Sequence, residues 1–251
     1  MRRTALILTW SFFAMVPVLL AGPVTTQNVR VPSGSETIAG YLAAPEASPG
    51  KHAALLVLHE DWGVTDWIKE QTRKLAAHGY VALAVDLYRG QVAYDPALAY
   101  ELMAGTPRDR ALQDMKAAVH FLNARADVEG LKIGVIGWSA GGKWSLWLAV
   151  NDSLLAACVV NYGPMPADPA DIQRIHAPVL AIFGADDRTI AASDVEAFEN
   201  AMTEAHKSID VKVYPHAGHG FENSDSKLGY REDAADDAWQ RTLSFLDLHL
   251  K

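Results

Sequence analysis

Three side chains in this sequence have types, order and surroundings suited to acyl transfer. Ser139 sits in Gly137-Trp138-Ser139-Ala140-Gly141, a G-x-S-x-G match that follows an apolar run and precedes a helix-like stretch. That context is the one a nucleophile elbow requires: the serine occupies a sharp strand-to-helix turn, and its neighbours two residues away must be small. The turn lifts the hydroxyl clear of the sheet and sets the Ala140 backbone N–H at a helix N-terminus, facing a developing oxyanion.

Serine is a weak nucleophile at neutral pH and needs a base. Nine histidines are present, and His219 lies in the Gly-flanked stretch Ala217-Gly218-His219-Gly220-Phe221 after the last apolar run, with His216 as the rival in the same loop. A third group must fix the imidazole tautomer and stabilise its cation. Gly184-Ala185-Asp186-Asp187 supplies two adjacent acids after another apolar run. Adjacent side chains point in different directions, so one of them faces the base. The chain order serine, acid, histidine is that of α/β-hydrolases.

The elements that must position these residues follow from the apolar pattern. Continuous runs at 53–58, 80–85, 131–136, 155–160, 179–183 and 209–214 suit strands covered on both faces. Amphipathic stretches at 66–78, 107–126, 140–150, 193–206 and 231–249 alternate with them; Gly79 is placed to cap the first, and Pro107 at a first-turn position to open the second. Segments 28–31 and 36–43 around Ser33-Gly34-Ser35 read as an antiparallel hairpin at the sheet edge. The predicted fold class is α/β, a doubly wound and mostly parallel sheet with helices on both faces. Chemistry in such sheets gathers at the carboxyl ends of strands, where Glu60, Ser139, Asp187 and His219 all fall.

The start of the chain reads differently. Met1-Arg2-Arg3, an apolar run from Ala5 to Leu20, and small Ala21-Gly22 form the pattern of a secretory signal peptide. An uncleaved anchor is the competing reading, which the short run and Pro17 disfavour. The expected organisation is therefore a signal at 1–22 and one domain at 23–251, exported to a periplasm or to the medium. About half of the 251 residues are apolar, enough for one sizeable core. Loss of two arginines with the signal takes the formal charge from −8 to −10. An acidic surface repels phosphate backbones and anionic membranes, so neither nucleic acid nor, once the signal is removed, a membrane is an expected partner. Cys158 is the sole cysteine, in a buried-strand pattern, and no internal disulfide can form.

Taken together, Leu58-His59-Glu60-Asp61-Trp62-Gly63, Asp86-Leu87-Tyr88, the Ser139 elbow with Gly142, Gly184-Ala185-Asp186-Asp187 and Ala217-Gly218-His219-Gly220-Phe221 resemble the dienelactone hydrolase family over nearly all of the mature chain. The resemblance implies Asp187 rather than Asp186 as the acid, the Asp61 backbone N–H as second oxyanion donor, and Glu60 beside the nucleophile. Two departures stand out. Well-known members carry cysteine where this chain has Ser139, and there the glutamate helps form the thiolate. A hydroxyl is far less acidic, which leaves His219 as main base and Glu60 to orient a water or hold the resting serine. Family members also hold a substrate carboxylate with arginines, one just beyond the histidine loop; Glu222-Asn223 stands there instead. Arg89, Arg108 and Arg110 lie in a region that could cover the site, together with 90–107, although a solvated helix face is the readier reading of Arg108 and Arg110. Trp62 and Trp138 are candidate pocket walls, with ordinary packing the alternative for Trp138.

The expected activity is hydrolysis of a small ester or lactone with no metal and no organic cofactor; the oligomeric state is not legible. Three other readings compete: a non-catalytic binding protein on the same scaffold, an amide or peptide hydrolase with the same triad, and a metallohydrolase built on His59, Glu60, His216 and His219. The last lacks the helical H-E-x-x-H context.

Overall fold

The computed structural model describes residues 22–46 and 50–251. The predicted signal therefore lies, apart from Gly22, outside the described residues.

Val24–Ser33 (β1) and Glu36–Pro45 (β2) form the expected hairpin, in register from Val24 opposite Pro45 to Ser33 opposite Glu36. β2 runs antiparallel to Val81–Val85 (β4). All further neighbours are parallel: β4 with His52–Leu58 (β3), then Val128–Trp138 (β5), Ala157–Asn161 (β6), Val179–Gly184 (β7) and Ile209–Tyr214 (β8). The order across the eight-stranded sheet is β1-β2-β4-β3-β5-β6-β7-β8. β4, β6 and β7 are buried at every position. That is why their sequences are unbroken apolar runs: a central strand covered on both faces has no solvent side on which to alternate.

Asp66–Ala77 (α1) starts at Thr65, whose hydroxyl accepts from the Ile68 N–H, and buries Trp67, Ile68, Leu75 and Ala76. It meets Glu232–Leu250 (α7) through Lys74, whose ammonium lies 4.4 Å from the Trp239 ring. Arg108–Asn123 (α3), Ala140–Asn151 (α4), Pro169–Arg174 (α5) and Ala192–Glu204 (α6) pack in succession as the other layer. Together these layers make the doubly wound architecture read from the sequence.

The differences are local. Pro107 stands at the N-cap of α3, one place before the expected first-turn position. Within 90–107 the chain forms a helix, Pro96–Ala104 (α2), capped by Asp95 and buried only at Ala99. Neither α2 nor α5 stood out in the sequence, because both are short and α2 lacks a buried face that would impose a helical period.

Candidate active site

The elbow between β5 and α4 holds Ser139 at φ 53° and ψ −117°. A left-handed serine is strained by about 1–3 kcal/mol and persists only where its surroundings force it. They do so through backbone contact. A Cβ on Gly137 would come within 2.2 Å of the Gly141 carbonyl oxygen, and one on Gly141 within 2.2 Å of the Leu58 carbonyl oxygen. The glycines of the motif are thus a steric requirement. The Ser139 N–H donates to the Asn161 carbonyl on β6, tying the turn to the next strand.

Ser139 Oγ lies 2.8 Å from His219 Nε2, and His219 Nδ1 lies 2.9 Å from Asp187 Oδ2. Asp187 Oδ1 accepts the N–H groups of Thr189 and Ile190 at 2.7 and 3.0 Å, and the Asp187 side chain is fully buried. A carboxylate so placed can only accept, so the histidine carries its proton on Nδ1 and offers Nε2 to the serine hydroxyl. Asp186 is exposed, and its N–H donates to the Ala217 carbonyl; with Ala185 N–H on the Tyr214 carbonyl, this joins the acid loop to the histidine loop. His216 is exposed, at φ 61°. The edge of the Tyr162 ring supports the His219 ring at 5.2 Å between centroids.

Among the described residues, neither the Ala140 nor the Asp61 backbone N–H makes a hydrogen bond to a protein acceptor. Both amides therefore remain available to an oxyanion. The Asp61 side chain is less expected: its Oδ1 is enclosed without a partner, and burial raises its carboxyl above the ordinary range.

Glu60 is buried and accepts from Asn223 Nδ2 at 2.7 Å; it makes no hydrogen bond with Ser139. Burial lifts its carboxyl to about 7, with the Asn223 amide opposing the rise. Glu222 accepts from Trp138 Nε1 at 3.0 Å, while its Oε1 has no partner. Burial and the neighbouring Glu60 push Glu222 up to about 8. Glu222, just beyond the histidine, and Glu60, after β3, are thus two acids raised toward neutrality and protonated at slightly acid pH.

Trp138 is fully buried, edge-on to Trp67 at 5.3 Å, so it supports the elbow from within the core and does not wall a cleft. Trp62 is half-buried, and its carbonyl accepts the Ala93 N–H, which joins the loop after β3 to the segment leading into α2. Two of the arginines considered as a cover, Arg89 and Arg108, are engaged elsewhere. Arg89 forms a bidentate pair with buried Asp114 and reaches Glu36, and Arg108 lies 3.9 Å over the Trp147 ring. The side chain of Cys158 is buried, which pushes its thiol up beyond the reactive range. His59 donates Nδ1–H to the Glu60 carbonyl and accepts the Leu87 N–H on Nε2, so both ring nitrogens are engaged. Among the described residues no group of three His, Cys, Asp or Glu side chains is placed to hold a metal ion.

A doubly wound sheet with a left-handed serine on the β5–α4 turn, and an acid and a histidine after the following strands, defines an α/β-hydrolase. Within that class, residues 38–250 match the model of the dienelactone hydrolase family, and the chain belongs to that family. A protein from Salmonella typhimurium described as "Putative carboxymethylenebutenolidase" is 31% identical over 238 residues, covering 89% of this chain and 87% of that one. The crystal structure of a "Putative Dienelactone Hydrolase" from Klebsiella pneumoniae superposes with a TM-score of 0.84 at 28% identity, over 90% of this chain and 99% of that one. A "Dienelactone Hydrolase-like Promiscuous Phospotriesterase" from metagenomic libraries gives a TM-score of 0.85 at 25% identity, over 92% of this chain and all of the other.

Proposed function

We propose that this chain hydrolyses small carboxylic esters or lactones through an acyl-enzyme on Ser139. The carrying observation is the 2.8 Å approach of Ser139 Oγ to His219 Nε2, with Asp187 fixing the opposite edge of the same ring. His219 takes the hydroxyl proton as Oγ attacks the carbonyl carbon, and Asp187 stabilises the imidazolium that results. The Ala140 and Asp61 amides bind the tetrahedral oxyanion, each contributing about 3–4 kcal/mol in comparable sites. The C–O bond to the leaving group breaks as His219 returns the proton to it; from a lactone, the new hydroxyl stays tethered to the acyl group. Water then attacks the acyl-enzyme with His219 as base, releasing the acid and restoring Ser139. The lactone side of the reading is supported by relatives named carboxymethylenebutenolidase.

Glu60 holds Asn223 and, in this reading, orders the floor of the site without ionising the serine. Glu222 in place of an arginine argues for neutral substrates over carboxylate-bearing dienelactones. Treatment with a fluorophosphonate, followed by peptide mapping, tests the nucleophile: the adduct belongs on Ser139, and an adduct elsewhere overturns the assignment. Export is proposed from residues 1–22 alone. N-terminal sequencing of protein recovered from a periplasmic fraction tests it, with a new terminus near Gly22 expected and an intact Met1 contradicting cleavage.

A further inference from the structure

His219 stands in a loop that is loosely packed about its glycines. A Cβ on Gly220 would meet nothing within 4 Å, and one on Gly218 would meet only the Asp186 carbonyl oxygen, at 3.8 Å. Gly220 takes φ 72°, in the left-handed region that glycine favours. Upstream, the Ala217 carbonyl accepts the Asp186 N–H, and the imidazole itself is held by Asp187. Those bonds tie the histidine to the acid loop and do not set its distance from the nucleophile. Downstream, three successive side chains fasten the loop. Phe221 is buried against the Tyr162 and Tyr214 rings, Glu222 accepts from Trp138 Nε1 at 3.0 Å, and Asn223 donates to Glu60 Oε2 at 2.7 Å.

Of the three, Glu222 is the one that bonds to the strand carrying the nucleophile. Trp138 is the last residue of β5 and directly precedes Ser139. It is buried and edge-on to Trp67, 5.3 Å away, so its indole N–H is a fixed point. The second carboxyl oxygen of Glu222, Oε1, has no partner, and the indole bond alone directs this side chain. Among the described residues, it is the one hydrogen bond besides Ser139–His219 that joins the histidine loop to the β5–α4 turn. A base that meets a hydroxyl at 2.8 Å tolerates little drift, since a displacement of about 1 Å can cost about 100-fold in rate. We propose that Glu222 is a positioning residue: by accepting the Trp138 indole N–H, it holds the histidine loop at the distance from the elbow at which His219 Nε2 reaches Ser139 Oγ. This rests on the triad reading above. Glu222 acts through His219 and not on the reacting bond, and no bond forms or breaks at it.

The bond can be cut from either end. Glu222→Leu removes the acceptor, Trp138→Phe removes the donor while keeping an aromatic ring, and Glu222→Gln keeps an acceptor oxygen. On p-nitrophenyl acetate at about pH 7.5, with rates taken per folded molecule, each of the first two should lower kcat by about 10–100-fold with KM within about threefold of wild type. Glu222→Gln should keep kcat within about threefold. The Glu222→Leu, Trp138→Phe double variant should lose no more than the worse single, because both remove the same contact. The rate at which a fluorophosphonate labels Ser139 should fall together with kcat, since labelling needs the same His219 base. A merely structural Glu222 lowers the unfolding midpoint and leaves kcat and labelling rate as they were. That result overturns the proposal, as do additive losses in the double variant or a glutamine variant as slow as the leucine one. If Glu222→Leu does not fold, Trp138→Phe decides alone: a wild-type kcat there also overturns the proposal. Ser139→Ala, run alongside, separates the two readings. Turnover that survives in it removes the catalytic assignment itself. An inactive Ser139→Ala together with an unimpaired Glu222→Leu removes only the role of Glu222.

Discussion

Replacing Glu222 by glutamine should change how stability depends on pH while leaving it nearly unaltered in mild acid. The Glu222 carboxyl is held at about 8, against an ordinary value of 4.5, by burial and by the adjacent Glu60. A raised acid favours the folded state while protonated. That advantage is whole below pH 4.5 and is lost as pH rises from there through about 8, because the unfolded chain ionises freely and the folded one does not. At about 1.36 kcal/mol per pKa unit, full loss amounts to roughly 5 kcal/mol, and relaxation of the site brings the expected figure to about 2–4 kcal/mol. Glutamine mimics the neutral acid and keeps an oxygen for Trp138 Nε1. Urea unfolding at pH 5 and pH 8 measures the effect. Near pH 5 the two proteins should agree within about 1 kcal/mol, and by pH 8 the variant should be the more stable by about 2–4 kcal/mol. Titrating groups away from Glu222 are common to both proteins and cancel in the difference; Glu60 is coupled to it, so the difference reports the pair. Parallel stability profiles, with no gain for the variant at pH 8, would refute the account of Glu222 as a buried neutral acid.

Other perturbations probe separate parts of the structure. Gly141→Ala drives a methyl into the Leu58 carbonyl, so it should destabilise the fold by about 3 kcal/mol or more and depress turnover, read by thermal unfolding and an ester assay. Arg89→Met leaves buried Asp114 without its cation and should cost about 3 kcal/mol in a urea titration, with turnover per folded molecule kept; a neutral effect would contradict the structural role given to that pair. Asp187→Asn reverses the hydrogen-bond demand on His219 Nδ1 and should lower kcat by about 10³–10⁴-fold in steady-state kinetics with little change in KM.

The sequence was most informative where function imposes local geometry. The elbow was readable because the contacts of Gly137 and Gly141 forbid a side chain, so the spacing of small residues records the turn itself. The central strands were readable because β4, β6 and β7 are buried on both faces. The choice of Asp187 over Asp186 needed the family resemblance, since nothing in the dipeptide says which carboxyl turns inward. Long-range contacts that no motif records were not readable. Glu222 bonds Trp138 across 84 positions, and Arg89 serves Asp114 across 25, so the side chains considered as a pocket wall and a substrate clamp prove to be structural.

The most direct trial of the whole account is kcat/KM for Ser139→Ala on a panel of small esters and lactones, with its unfolding midpoint measured in the same buffer. A fall of about 10⁴-fold or more at unchanged stability is the expected outcome. Turnover within tenfold of wild type would contradict it, and would place the reaction somewhere other than this serine.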